Sequence, residues 1–180
     1  MVIESRDPDS KGHSEKVALL AREIAQELDC PDGLTFEIEM AARIHDIGKV
    51  GVRDEILLKS GLLTVAEWLE MMQHPSKGAE MIRPISFLQG LIPIIEGHHE
   101  HFDGTGYPHG LKGDEIHLGA RILAVADAYD ALTSGRPYRS RFSHDQAIKI
   151  LKEGGGEQWD PKVVDAFLGV AQRKASALWL

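Results

Sequence analysis

Apolar residues in this chain recur mostly at intervals of three and four, the spacing of a helix with one buried face. Val17, Leu20, Ala21, Ile24 and Leu28 trace such a face, and Pro31-Asp32-Gly33 is expected to stop the helix that carries it. A second helix is expected over about 36–47, with Met40, Ala41 and Ile44 on one side and Gly48 as its end. Thr64 followed by Glu67 is a capping-box signature for a helix reaching about residue 73. Residues 79–98 are apolar but interrupted by Pro84, Gly90 and Pro93, which predicts short helical pieces. The stretch 119–133 is strongly periodic and directs Ile122, Val125, Ala126, Tyr129 and Leu132 inward. Ser143 and Gln146 form another capping box on a helix ended by Gly154-Gly155-Gly156, and Asp160-Pro161 opens a last helix. The pattern predicts an all-α fold. With no internal repeat and no low-complexity linker, residues 1–180 are expected to form a single domain.

At 180 residues and 43% hydrophobic composition, such a domain buries a core without disulfides or a structural metal, so any metal would be functional. The single cysteine, Cys30, rules out intrachain disulfides and fits a reducing cytoplasm, the expected location. No signal peptide is evident, and the apolar run from Leu88 to Ile95 falls short of the roughly 20 residues of a membrane span, so no membrane insertion is expected. A net charge of −8 argues against binding polymeric nucleic acid. It leaves room for a small anionic ligand, because bound divalent ions reverse the local field.

Candidate chemistry concentrates at residues 98–108, His-His-Glu-His-Phe-Asp-Gly-Thr-Gly-Tyr-Pro. Neighbouring side chains diverge by about 100° in a helix and 180° in a strand, so adjacent histidines cannot share one apolar face but can converge on an ion at a helix end. Gly104, Gly106 and Pro108 then imply a shaped loop. Other donors stand in similar contexts: His13 at a helix start, His45 beside Asp46, His74 before Pro75, and Asp127 on a polar stripe with Asp130. Buried carboxylates need compensation, and a cation provides it. His109, His117 and His144 read as ordinary surface or satisfied core residues. Imidazole and carboxylate donors without thiolate suit iron, manganese, zinc or nickel better than magnesium or calcium, and iron or manganese is the expected choice. Seven ligands exceed what one catalytic ion takes, so two ions sharing Asp46 are expected, able to activate hydroxide and clamp a phosphoryl group.

The ordered series His45-Asp46 with Lys49, Lys59-Ser60-Gly61, Leu63-Thr64, His74-Pro75, His98-His99-Glu100, Asp103-Gly104-Thr105-Gly106-Tyr107-Pro108, Asp127-Ala128-Tyr129-Asp130-Ala131-Leu132-Thr133 and Arg136-Pro137-Tyr138-Arg139 resembles the HD-GYP family over about residues 6–167. That resemblance implies a helical bundle of the HD-domain phosphohydrolase type with a binuclear centre in its core. It further implies a bacterial phosphodiesterase that hydrolyses cyclic di-GMP to pGpG, and in some members on to GMP. Carried over by position, His13, His45, Asp46 and Asp127 would ligate a first ion, and Asp46, His74, His98 and His99 a second. Asp46 and Lys49 would serve catalysis; Lys49, Tyr107, Asp130, Arg136 and Arg139 would contact substrate. Members with a third ion place a glutamate four residues before the first histidine; here that position is Asp9, a candidate third-ion ligand one methylene shorter. His101 stands where the family commonly has arginine or lysine.

Two other readings keep parts of this picture: a phosphohydrolase for another cyclic dinucleotide or nucleotide, and a silent module that binds cyclic di-GMP for regulation. A homodimer, or an upstream sensory partner not included in this chain, would complete the expected assembly.

Overall fold

The computed structural model describes residues 12–134 and 141–177, and these fold into nine α-helices. They are α1 (His13–Glu27), α2 (Asp32–Ile44), α3 (Asp54–Leu57), α4 (Val65–Met71), α5 (His74–Ile82), α6 (Ile92–Gly97), α7 (Leu118–Thr133), α8 (His144–Glu153) and α9 (Pro161–Ala177), joined by 3-10 turns at Ile47–Gly51, Ser86–Leu91 and Gly113–Glu115. Among the described residues the β-type pairing is limited to one isolated bridge between Gly155 and Trp159. No helix of the described residues is long and apolar enough to cross a membrane.

Helix α7 is the centre of the bundle because it is apolar on more than one side. Ala120, Ile122, Leu123, Val125 and Ala126 are all fully buried, and α1, α2, α6, α8 and α9 pack around it. Gly119 permits a close approach of α2 and α6, since a Cβ there would lie 2.8 Å from Ile94 Cδ1 and 2.9 Å from Ile38 Cγ1. Val17, Ala21 and Ile24 of α1, Ile38 and Ala41 of α2, Ile94 and Ile95 of α6 and Phe167 of α9 complete one continuous core. Of the five inward positions expected on α7, Tyr129 and Leu132 are only half-buried, near the end that faces α8.

The capping residues behave as their chemistry requires. Thr64 Oγ1 accepts the Glu67 N–H at 3.4 Å while Glu67 accepts the Thr64 N–H at 2.7 Å. Ser143 and Gln146 make the same exchange at 3.2 and 2.8 Å. Three boundaries differ from expectation. Pro31-Asp32-Gly33 starts α2 as well as following α1: Pro31 lacks the N–H that a first turn leaves unpaired, and Asp32 complements the positive helix end. Pro93 likewise falls in the first turn of α6 and opens that helix, instead of breaking one. Helix α2 ends at Ile44, before His45 and Asp46, so Gly48 does not terminate it. Gly48 instead lets the Ile47–Gly51 turn touch α5, where a Cβ would meet the His74 carbonyl oxygen at 1.9 Å.

Candidate metal centre

Helix ends supply most of the expected ligands. His45 caps the C-terminus of α2, and His98 caps that of α6, with His99 next to it. His13 and His74 are the first residues of α1 and α5, Asp46 precedes the Ile47–Gly51 turn, and Asp127 projects from α7. All seven come together as three overlapping groups: His13, His45 and Asp127; His45, Asp46 and His98; and His74, His98 and His99. Within each group the donor atoms lie within 4.8 Å of one another. Asp46 stands between the first and last groups, with Oδ2 3.5 Å from His45 Nε2 and Oδ1 3.4 Å from His74 Nε2. His13 Nε2 lies 3.2 Å from Asp127 Oδ1.

Backbone carbonyls settle the tautomers. Nδ1 of His45, His74 and His98 lies 2.8, 2.8 and 2.6 Å from the carbonyl oxygen of Ala42, Met71 and Ile95, in each case three residues earlier. A carbonyl only accepts, so each Nδ1 carries a proton and each ring turns Nε2 toward the cluster. The Nε2 atoms of His74 and His98 then face each other at 3.4 Å in a buried setting. Two lone pairs at that distance repel unless an electropositive centre lies against both, so the donor set fits a cation.

The electrostatics agree. Burial, with the neighbouring histidines, pushes His74 and His99 down to about 3 and His98 well below its ordinary value, which keeps these rings neutral. Burial would raise Asp46, but the ammonium of Lys49 beside it holds it well below the usual carboxylate range. Asp127 is lowered against its burial by the His13 hydrogen bond and the charge of His13. His13 behaves oppositely: burial disfavours its charge, yet hydrogen bonds to Asp127 and Asp130 raise it to about 9.

Beside the cluster, Lys49 Nζ donates to Asp46 Oδ2 at 2.7 Å. The Tyr107 ring stacks on His99 with centroids 4.9 Å apart, and its N–H donates to the His99 carbonyl at 3.1 Å. Burial pushes the Tyr107 hydroxyl upward, as do the charges of Asp46 and Asp127. Glu100, first read together with its histidine neighbours, faces away from the cluster: its buried carboxylate accepts the N–H of His109 at 2.7 Å and of Leu111 at 3.0 Å, latching the loop from behind. Gly104 adopts φ +90°, whereas Gly106 is needed for space, because a Cβ there would lie 2.1 Å from the His101 nitrogen. Asp130, expected among the substrate contacts, is buried behind His13, its Oδ2 2.7 Å from His13 Nδ1 and its Oδ1 accepting the Ser134 hydroxyl at 3.1 Å. Asp9, Arg136 and Arg139 lie outside the described residues.

Trp68 is an aromatic that the sequence reading passed over. Its ring meets Tyr107 edge-on at 6.2 Å and remains 48% exposed. Its signal was an α4 segment, Val65-Ala66-Glu67-Trp68-Leu69-Glu70-Met71, with more apolar residues than a helix that buries none of them needs.

The HD domain family profile matches residues 1–163. The chain belongs to the HD-domain family. Among curated relatives, a cyclic di-GMP phosphodiesterase of Thermotoga maritima is 41% identical over 172 residues, covering 93% of this chain and 46% of that protein. A 3'3'-cGAMP-specific phosphodiesterase of Vibrio cholerae is 39% identical over 161 residues, covering 89% of this chain and 35% of that protein. A solved cyclic GMP-AMP specific phosphodiesterase of V. cholerae superposes with a TM-score of 0.70 at 17% identity, over 89% of this chain and 44% of that one, which confirms the fold. Together with the Gly-Tyr-Pro loop, these relatives place the HD-domain chain in the HD-GYP branch. The chain spans less than half the length of these relatives.

Proposed function

We propose that this HD-domain chain is a phosphodiesterase whose substrate is cyclic di-GMP. The observation that carries the reading is Asp46: its two oxygens face two histidine groups on opposite sides, while Lys49 and the Tyr107 loop border the same cluster. Relatives of 41% and 43% identity that bear the name cyclic di-GMP phosphodiesterase supply the substrate class.

His13, His45, Asp46 and Asp127 would hold one divalent ion, and Asp46, His74, His98 and His99 another, with iron or manganese proposed and zinc or nickel equally compatible with the donor set. Bound there, such ions supply Lewis acidity toward a phosphodiester and bring the pKa of water toward neutrality. The chain's own groups do the rest. Lys49 offers its ammonium to a phosphoryl oxygen and screens Asp46; Tyr107 closes the wall beside His99; Arg136 and Arg139 add positive charge for a dianionic ligand. The carboxylate of Asp130, engaged by His13 and Ser134, is withdrawn from this set. A cytoplasmic location fits a nucleotide messenger.

Purified protein loaded with manganese or iron should convert cyclic di-GMP to linear product by chromatography, and Asp46→Ala should reduce turnover at least a thousandfold, on the order expected when a catalytic centre is lost. Undiminished hydrolysis by Asp46→Ala sinks the proposal. The V. cholerae relative specific for 3'3'-cGAMP favours a second reading, a mixed cyclic dinucleotide as substrate, which comparing kcat/KM for the two dinucleotides decides. Tight binding without turnover under every metal would instead identify a regulatory module.

A further inference from the structure

His45, His74 and His98 share one device: a backbone carbonyl three residues earlier accepts from Nδ1. His13 does not. It opens α1, and its Nδ1 lies 2.7 Å from Oδ2 of Asp130, a side chain on α7 that is 117 residues distant in sequence. Asp130 is itself fixed, being buried, with Oδ1 held by the Ser134 hydroxyl and its backbone carbonyl by the Ser134 N–H at 2.7 Å. One helical turn earlier on the same face, Asp127 approaches the other nitrogen of His13 at 3.2 Å. Helix α7 thus grips one imidazole with two carboxylates, one on each nitrogen. A carboxylate is a stronger acceptor than a carbonyl, locks the Nδ1–H tautomer and makes Nε2 a better donor.

We infer that Asp130 is a positioning residue for the His13 ion position, so that His13 is backed by a carboxylate while His74 and His98 of the other position are each backed by a backbone carbonyl. The inference rests on the proposed pair of ions and replaces a substrate contact for Asp130. The two positions are therefore unequal, and the identity of residue 130 tunes one of them.

The test is uptake of Mn²⁺ by the full chain, followed by elemental analysis for ions per chain and by calorimetry for each dissociation constant. Asp130→Asn keeps the volume and an acceptor for Ser134, and Asp130→Glu restores the charge; His13→Ala marks the position concerned. The expected result is two ions in the unaltered protein, one in His13→Ala, and in Asp130→Asn one ion of unchanged affinity beside one weakened by roughly 10–100-fold, the usual cost of losing such a partner, with partial recovery in Asp130→Glu. Two ions of unchanged affinity in Asp130→Asn, with a raised KM for cyclic di-GMP, would return Asp130 to substrate contact and overturn the inference while leaving the ion pair standing. Equal weakening of both ions, or loss of both, also overturns it, because the effect is then not confined to His13. Fewer than two ions in the unaltered protein, or two in His13→Ala, overturns the ion-pair reading itself.

Discussion

Gly106 leaves no room for a methyl group, since a Cβ would lie 2.1 Å from the His101 nitrogen and 2.5 Å from the Glu100 Cα, both backbone atoms. Gly106→Ala is expected to destabilise the protein by about 3 kcal/mol, at the upper end of ordinary overpacking, and to raise KM by distorting the loop. Urea unfolding and steady-state kinetics check both parts. Glu100 gives a companion expectation. Its two oxygens accept two backbone N–H groups, and a glutamine can turn only one oxygen to them. Glu100→Gln should therefore cost about 2 kcal/mol in the same unfolding experiment; a change near zero would show that the latch does not hold the loop. At this scale the sequence was most informative where several donors adjoin, as at His45-Asp46 and His98-His99. It was least informative for Asp130, whose type and helical position were readable but whose contact with His13 depends on two helices meeting across 117 positions. Trp68 shows the same limit, because an exposed aromatic acquires meaning only from its neighbour Tyr107.

Whole elements were legible where local chemistry writes their ends. The two capping boxes and the glycine run after α8 mark α4 and α8 as they stand. Boundaries moved where tertiary contact or a helix-starting proline decides, as at Pro31, Pro93 and the end of α2. The turn Ile47–Gly51 is the clearest case, because Gly48 serves the contact with α5 and its own conformation does not require it. Gly48→Ala should separate the turn that follows Asp46 from the helix that begins with His74, since the Cβ would stand 1.9 Å from the His74 oxygen and 2.6 Å from the Gly78 nitrogen. The expected outcome is a stability loss of about 3 kcal/mol accompanied by weaker uptake at the position shared by Asp46 and His74. Gly61→Ala, with nothing within 4 Å of its Cβ, is the matched control and should be close to neutral. A Gly48→Ala protein that melts and binds metal like the parent would remove the contact's claimed role.

For the molecule as a whole, burying neutral histidines ties stability to pH. In chelator-treated protein, His74 and His99 hold folded values near 3 and His98 is also depressed, so unfolding lets all three take up protons below their ordinary value near 6.5. Their contribution is present in full above pH 6.5 and is lost as pH falls toward 3, by up to about 1.4 kcal/mol per pH unit for each ring. His13 has the reverse sign: raised to about 9, it contributes fully below 6.5 and fades as pH climbs through 9. Between pH 6.5 and 5 the His13 contribution stays constant and the other three rings decide the slope, so the melting temperature of the chelated protein should fall steeply there, and a flat profile across that range contradicts the neutral-ring assignment. The helical bundle itself was legible from apolar periodicity; the convergence of the seven donors was expected from their types and from the family resemblance, whereas the distances between them are a property of packing. That gathering couples two events. Tyr107 lies on the ring of His99 and donates to its carbonyl, so whatever steadies one steadies the other. Thermodynamic linkage makes any such influence mutual and equal in size: the factor by which a nucleotide tightens retention of an ion at His99 is the factor by which that ion tightens the nucleotide. On the proposed function, scarcity of the metal would weaken nucleotide binding by that factor, and abundant nucleotide would in turn help the chain hold the metal.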